Sequence, residues 1–228
     1  MEPRGRDLTR RSRPGARAGT ELTRDDPLWP GQLAVLAALA LYFALPPKLT
    51  IGPNWLLPSA EAGLLLALVG ATRRGRTLAR RRELALGLAL VVTATNLVAL
   101  GLLVHYLLAA DHVRGTDLVG GGVVIWCTNL LLFAVWSWEL DRGGPISGGT
   151  APAPDLLFPQ MTDARLGGGV WTPRFGDYLY VSLTNQTAFS PTDTLPLTHR
   201  MKLLMGLQGL ASLITVGVVI ARAIDSLS

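Results

Sequence analysis

"RRGRTLARRRELALGLALVVTATNLVALGLLVHYLL", residues 73–108, decides how this chain is read. Six arginines, Arg73, Arg74, Arg76, Arg80, Arg81 and Arg82, fall within its first ten residues. The run from Leu84 to Leu108 that follows holds no Asp, Glu, Lys or Arg. A helix rises about 1.5 Å per residue and a bilayer core is about 30 Å thick, so this run crosses with length to spare for a tilt. Basic clusters beside apolar spans stay on the cytoplasmic side. The block Arg73–Arg82 therefore marks a cytoplasmic loop, and its arginines are the expected contacts for lipid headgroups.

Working outward, the same pattern recurs. "LLPSAEAGLLLALVGAT", about Leu56 to Thr72, reads as a short span just before the arginine block. "LWPGQLAVLAALALYFALPP", Leu28 to about Leu45, reads as another, with Trp29 and Tyr42 suited to the interfacial belts and Pro46 and Pro47 as its stop. After the central span, "LVGGGVVIWCTNLLLFAVWSW" from Leu118 to Trp138 and "MKLLMGLQGLASLITVGVVIARAI" from Met201 to Ile224 complete five. The fold class is thus all-α, a polytopic membrane protein of about five spans plus one short re-entrant or interfacial helix. The N-terminus is expected in the cytoplasm, the C-terminus outside, and the location is the inner (plasma) membrane.

Composition agrees. The chain is 49% hydrophobic and 16% charged, against about 25% charged in soluble domains. A net charge of +5 carried in blocks beside apolar runs argues for a membrane and against nucleic acid. Residues 1–27 hold seven arginines and few large apolar side chains, the composition of a disordered cytoplasmic tail. Arg10 and Arg11 are not a twin-arginine export signal, because the next apolar run starts too far downstream. Four spans occupy 28–138, and 139–174 is a Gly/Pro-rich linker whose composition argues against a packed subdomain. Its "LLFPQM" is apolar enough to touch the membrane surface. Residues 175–228 form a C-terminal unit of short helix, turn and final span.

In that unit, "PRFGDYLYVSLTNQTAFSP" places Phe175, Tyr178, Leu179 and Leu183 at helical spacings, with Asp177 near the positive helix end. "SPTD" offers Ser190 as an N-cap, Pro191 at a first helical position and Asp193 three residues after the cap. Pro196 interrupts any continuous helix into the last span. A short helix, a bend and a full span either lie along the membrane or dip into it, and re-entrant backbone is tolerated only where protein or water satisfies it.

Phe175–Ile224 resembles the pore unit of potassium channels, in which an aromatic pore helix, a threonine-rich turn, an acidic residue and a proline precede the inner helix. The matching residues are Tyr178, Leu179, Tyr180, Ser182, Leu183, Thr184, Thr187, Asp193, Pro196 and Arg200. More broadly, residues 28–228 resemble a family of actinobacterial multi-pass membrane proteins without assigned function, in which "LFPQM", "DYLY", "TAFSPTD" and the closing helix occur together. The resemblance implies a pore-loop-like module. It departs at the filter: "TAFSP" stands where a Gly-aromatic-Gly core is needed, and no glycine occurs between Gly176 and Gly206. A potassium-type filter is therefore not expected.

The candidate polar lining of a conducting or transporting path is Tyr178, Thr184, Asn185, Thr187 and Asp193, with Gln208 on the last helix. Glu61 is the candidate intramembrane ionisable group, or else a carboxylate favoured by its own helix start. Asn96 and Asn129, near the middles of adjacent spans, read as interhelical hydrogen-bonding groups, and Gln208, Ser212 and Thr215 share one helical face. Gly206 and Gly209 permit close approach of a second copy, which makes a homo-oligomer through the last helix an expected partner alongside the bilayer. Cys127 is a packing residue. No catalytic residues, metal ligands or cofactor motifs are legible, and no enzyme is expected. The two function classes are a channel-like or transport protein, and a non-conducting structural or partner-binding membrane protein.

Overall fold

The computed structural model describes residues 27–50, 59, 62–63, 66–68, 70, 78–109, 114–145, 153–163, 165, 171–188 and 193–225. The tail 1–26, Glu61, Arg73, Arg74, Arg76, Ser190, Pro191 and most of the expected span Leu56–Thr72 lie outside them.

The fold is mostly helical. Its helices are α1 (Trp29–Phe43), α2 (Leu78–Leu108), α3 (Gly115–Leu140), α4 (Phe175–Ala188) and α5 (His199–Asp225). Among the described residues, three helices, α2, α3 and α5, are long and apolar enough to cross a membrane. This is the mark of a membrane protein. The count of about five is not confirmed: α1 is a shorter apolar helix of 15 residues, about 22 Å long, and the second expected span lies mostly outside the described residues.

Local chemistry sets the helix ends. Pro30 sits in the first turn of α1, where a missing N–H costs nothing, and the chain leaves at Ala44 ahead of Pro46 and Pro47. Helix α2 starts six residues earlier than the apolar run, so Arg80, Arg81 and Arg82 belong to its first turns and not to a loop. Past the end of α3 at Leu140, Asp141 is followed by three consecutive positive-φ residues, Arg142 (53°), Gly143 (80°) and Gly144 (97°). The two glycines take this region freely, whereas Arg142 is placed there at a cost of about 1–2 kcal/mol. Thr198 caps α5 through the Met201 N–H (3.4 Å), and Asp177 caps α4 through the Arg174 N–H (2.6 Å).

Helix α3 is the hub, in contact with α1, α2, α4 and α5. The arrangement needs close approaches, and glycines provide them. A Cβ on Gly31 would overlap the Trp138 ring, one on Gly121 would overlap Leu49, and one on Gly122 would overlap Val219. Gly121 and Gly122 of the "GGG" run are therefore packing positions, whereas Gly120 has open space. One apolar core, around Trp138, Phe133, Leu88, Val35 and Tyr178, fills the end of the bundle that carries the arginines. A second, around Leu103, Ile125, Leu118 and Leu49, fills the other end.

The linker departs from its composition. Leu156–Leu157 (β1) pairs antiparallel with Leu195–Pro196 (β2). Leu156 and Phe158 are buried in the core, and Phe158 meets Trp171 at a tilt (ring centres 5.4 Å apart) and Tyr178 edge to face (5.7 Å). The apolar residues of "LLFPQM" thus turn into the protein instead of lying on a membrane surface. Two large side chains outweigh the glycines and prolines around them.

Candidate functional site

The feature that organises the chemistry is the depth of α4. Its 14 residues span about 21 Å against about 39 Å for the 26 residues of α3. It runs antiparallel to α3. The Tyr178 hydroxyl donates to Asp141 Oδ2 (2.6 Å) at the end of α3. The Ser182 hydroxyl donates to the Leu130 carbonyl (2.7 Å), and Gln186 Nε2 donates to the Trp126 carbonyl (2.7 Å). Helix α4 thus stops beside the middle of α3. By Leu195 the chain is back at the starting end, paired to β1.

Two groups of polar residues hold this excursion. The inner group joins α3, α4 and α5 at mid-length. Gln208 Nε2 reaches the Ser182 carbonyl (2.9 Å), the Ser182 hydroxyl (2.6 Å) and Gln186 Oε1 (3.1 Å). Asn185 Nδ2 donates to Gln208 Oε1 (2.9 Å) and to the Met205 carbonyl (2.9 Å). Asn129 Nδ2 reaches Gln186 Oε1 (3.4 Å) and the Gln208 carbonyl (3.3 Å). The Trp126 indole N–H donates to Ser212 Oγ (3.1 Å), whose hydroxyl donates to the Gln186 carbonyl (2.8 Å). That last bond satisfies a backbone acceptor in the final turn of α4, which the helix itself leaves open. Asn96 does not meet Asn129. It reaches the Ile125 carbonyl (3.4 Å) instead.

The second group is ionic and sits at the base. Arg81 and Glu139 are both buried and pair in a two-pronged contact of 2.6 and 3.2 Å, with the guanidinium 6.0 Å from the Trp138 ring centre. Asp141, fully buried, accepts from Tyr178 and from the N–H groups of Asp155 (2.7 Å) and Leu156 (3.3 Å). Asp155, also fully buried, accepts from the Thr198 hydroxyl (2.6 Å) and pairs with Arg200, which also donates to the Leu140 carbonyl (3.3 Å). Burial alone raises the Asp155 carboxyl. The hydrogen bonds and charge of Arg200, with Thr198 and the Arg142 N–H, outweigh it and hold the group below its ordinary range.

The residues expected to line a path separate into two sets. Tyr178, Asn185 and Gln208 are buried and hydrogen-bonded between helices. Thr184 and Thr187 face away from that packing, and their hydroxyls return to α4 carbonyls: Thr184 to Tyr180 (3.0 Å) and Val181 (3.1 Å), Thr187 to Leu183 (2.8 Å). Asp193 is exposed. Of the three described arginines from the block, Arg80 is exposed, Arg82 half-buried and Arg81 turned into the protein, so Arg81 is a structural cation and not a headgroup contact. Gly206 and Gly209 have open space where a Cβ would sit. Among the described residues, no three His, Cys, Asp or Glu side chains group as metal ligands would. Sequence reasoning missed the Asp141–Asp155–Arg200 node. Its signal was a set of charges at helix ends in a chain that carries few.

Comparison with protein-family models, curated proteins and solved structures finds no match to this chain.

Proposed function

We propose that this chain is an integral plasma-membrane protein that does not conduct. Its C-terminal unit holds a re-entrant helix as a fixed plug, and its arginine-bearing cytoplasmic end meets lipid headgroups or a soluble partner. Helix α1 and the stretch 56–72 make up the further spans, and the N-terminus is cytoplasmic. Catalysis has no place in this reading. The observation that carries it is the fate of the polar residues. Tyr178, Asn185 and Gln208 spend their polar atoms on other helices, and interhelical hydrogen bonds of this kind contribute about 0.6–2 kcal/mol each. Two cavities within the bundle, of about 10 Å³ beside Asn96 and 20 Å³ beside Arg81, are water-sized.

The test is current recording with the purified full chain in planar bilayers, insertion being verified by protease protection. Silence across a salt gradient is the expected result, and discrete currents would overturn the reading. Capture of a stoichiometric partner should be lost on R80A/R82A. Arg81 is left in place because the fold depends on it.

A second reading has one observation in its favour. Helix α4 goes halfway in and the chain returns to the same end, the shape of a pore loop, as the resemblance to the potassium-channel unit implies. A path would then run between copies of the chain, against the exposed Thr187 and Asp193 and past Gly206 and Gly209. It would lack a potassium-type filter.

A further inference from the structure

Where α1, α2 and α3 meet, the bundle encloses a cavity of about 10 Å³, room for one water molecule and no more. Two polar side chains, each more than nine-tenths buried, form part of its wall: Asn96 of α2 and Thr128 of α3. Asn96 stands at the middle of the apolar run Leu84–Leu108, about 18 Å from either end. Its Nδ2 reaches the Ile125 carbonyl at 3.4 Å, and its Oδ1 has no donor among the described residues. Thr128 lies one turn beyond Ile125, on the same face of α3. The hydroxyls of Thr93, Thr95 and Thr215 return to carbonyls of their own helices at 2.6–3.0 Å. Among the described residues, the Thr128 hydroxyl makes no such bond. Neither lipid tails nor apolar side chains can bond to these groups, and a bare polar group at this depth is strongly unfavourable.

We propose that this cavity is a binding site for a single water molecule, held between Asn96 Oδ1 and the Thr128 hydroxyl and joining α2 to α3 beside α1. The inference goes beyond the reading above and rests on it for one thing, that lipid surrounds the bundle. Water fits because one molecule both donates and accepts. It donates to Asn96 Oδ1, which only accepts, and exchanges a bond with a hydroxyl that does either. Tyr42 of α1 and Thr95 of α2 add polar side chains to the same wall, and an internal water takes two to four polar partners. A sodium ion is of similar size. The wall holds no Asp or Glu, however, and an unpaired buried charge is far less favourable than a neutral molecule.

Water-edited solid-state NMR of the full chain in lipid bilayers, with asparagine, glutamine and leucine labelled, tests this. Magnetisation from water should reach the Asn96 side chain well before two controls. One is Gln208, whose amide is bonded to protein at both ends. The other is Leu97, half exposed on the outside of α2. T128V removes one partner at constant shape and should cut transfer to Asn96 by about 2–12-fold, the equilibrium effect of one net hydrogen bond, while T128S keeps it. A dry Asn96 beside a dry Leu97 overturns the proposal alone. So does equal transfer in T128V and T128S, which would leave Thr128 out of the site. A shift of the Asn96 signals when sodium replaces choline in the buffer also overturns it, by giving the cavity to a cation. Transfer to Leu97 as fast as to Asn96 would instead sink the membrane reading, and the site with it as ordinary solvent.

Discussion

Removing the Arg81 side chain should damage this protein far more than its place in a run of arginines suggests. In R81A the Glu139 carboxylate keeps its burial, 2% exposed, and loses both prongs of its 2.6 and 3.2 Å contact. Breaking one partner out of a buried pair costs about 3–5 kcal/mol, and the lost cation over Trp138 adds about 0.5–1 kcal/mol. For chains of this size each kcal/mol moves the melting temperature by about 2–4 °C, so R81A should melt roughly 7–24 °C lower. The double variant R81L/E139L removes both charges and keeps apolar volume. Such replacements are neutral or stabilising by about 1–4 kcal/mol, so it should recover most of the loss. Intrinsic tryptophan fluorescence of detergent-purified protein on a thermal ramp reads all three. If R81A melts within a degree or two of wild type, or R81L/E139L is as unstable as R81A, the pair is solvated and Arg81 is an ordinary surface arginine.

Y178F should cost about 1.5–3 kcal/mol, since a bond to a buried carboxylate is lost, and should expose Asp141 at the base of α4, read by thermal melting and by limited proteolysis near Gly143. Q208A leaves Ser182, Asn185 and Gln186 short of partners and should cost about 1–3 kcal/mol, whereas T187V should stay within about 0.5 kcal/mol of wild type. Equal effects of the two would show that α4 is not held on its Gln208 side. Asp155 has its folded-state pKa lowered, so the folded protein binds this proton less readily than the unfolded chain. Its contribution is present above the ordinary carboxylate range and lost as pH falls through and below it. Melting temperature against pH should fall on acidification in wild type and fall less in D155N.

The membrane class, the positions of the apolar helices at Trp29–Phe43, Leu78–Leu108, Gly115–Leu140 and His199–Asp225, and the helical nature of Phe175–Ala188 were legible because each depends on residues close in sequence. The apolar runs announce themselves, and residues 175, 178, 181, 182, 185 and 186 all lie on the buried side of α4. What was not legible depends on partners far apart. The pair Arg81–Glu139 lies 58 residues apart and the pair Arg200–Asp155 lies 45 apart, and no local rule joins them. That is why Arg80–Arg82 read as a loop although α2 runs through them: neutralising Arg81 makes a helical turn affordable at the bundle edge. The linker misled for the opposite reason. Its Gly and Pro content describes its length, while Leu156, Phe158 and Asp155, three residues in thirty-six, decide that it packs. In the candidate site, Tyr178, Asn185 and Gln208 were expected as the lining of a path, and the structure places them in hydrogen bonds between elements. Their helical spacing gave the face, and only the position of α5 shows that this face is closed by Met205, Gln208 and Ser212.

The most direct test of the re-entrant excursion is side-specific thiol labelling in a C127S background, with single cysteines at Arg174, Thr187 and Leu195 probed by a membrane-impermeant maleimide on intact cells and on inverted vesicles. The expected result is that Arg174 and Leu195 react from the same face of the membrane and that Thr187 reacts slowly from both. Labelling of Arg174 and Leu195 from opposite faces would make α4 part of a full span and contradict the account.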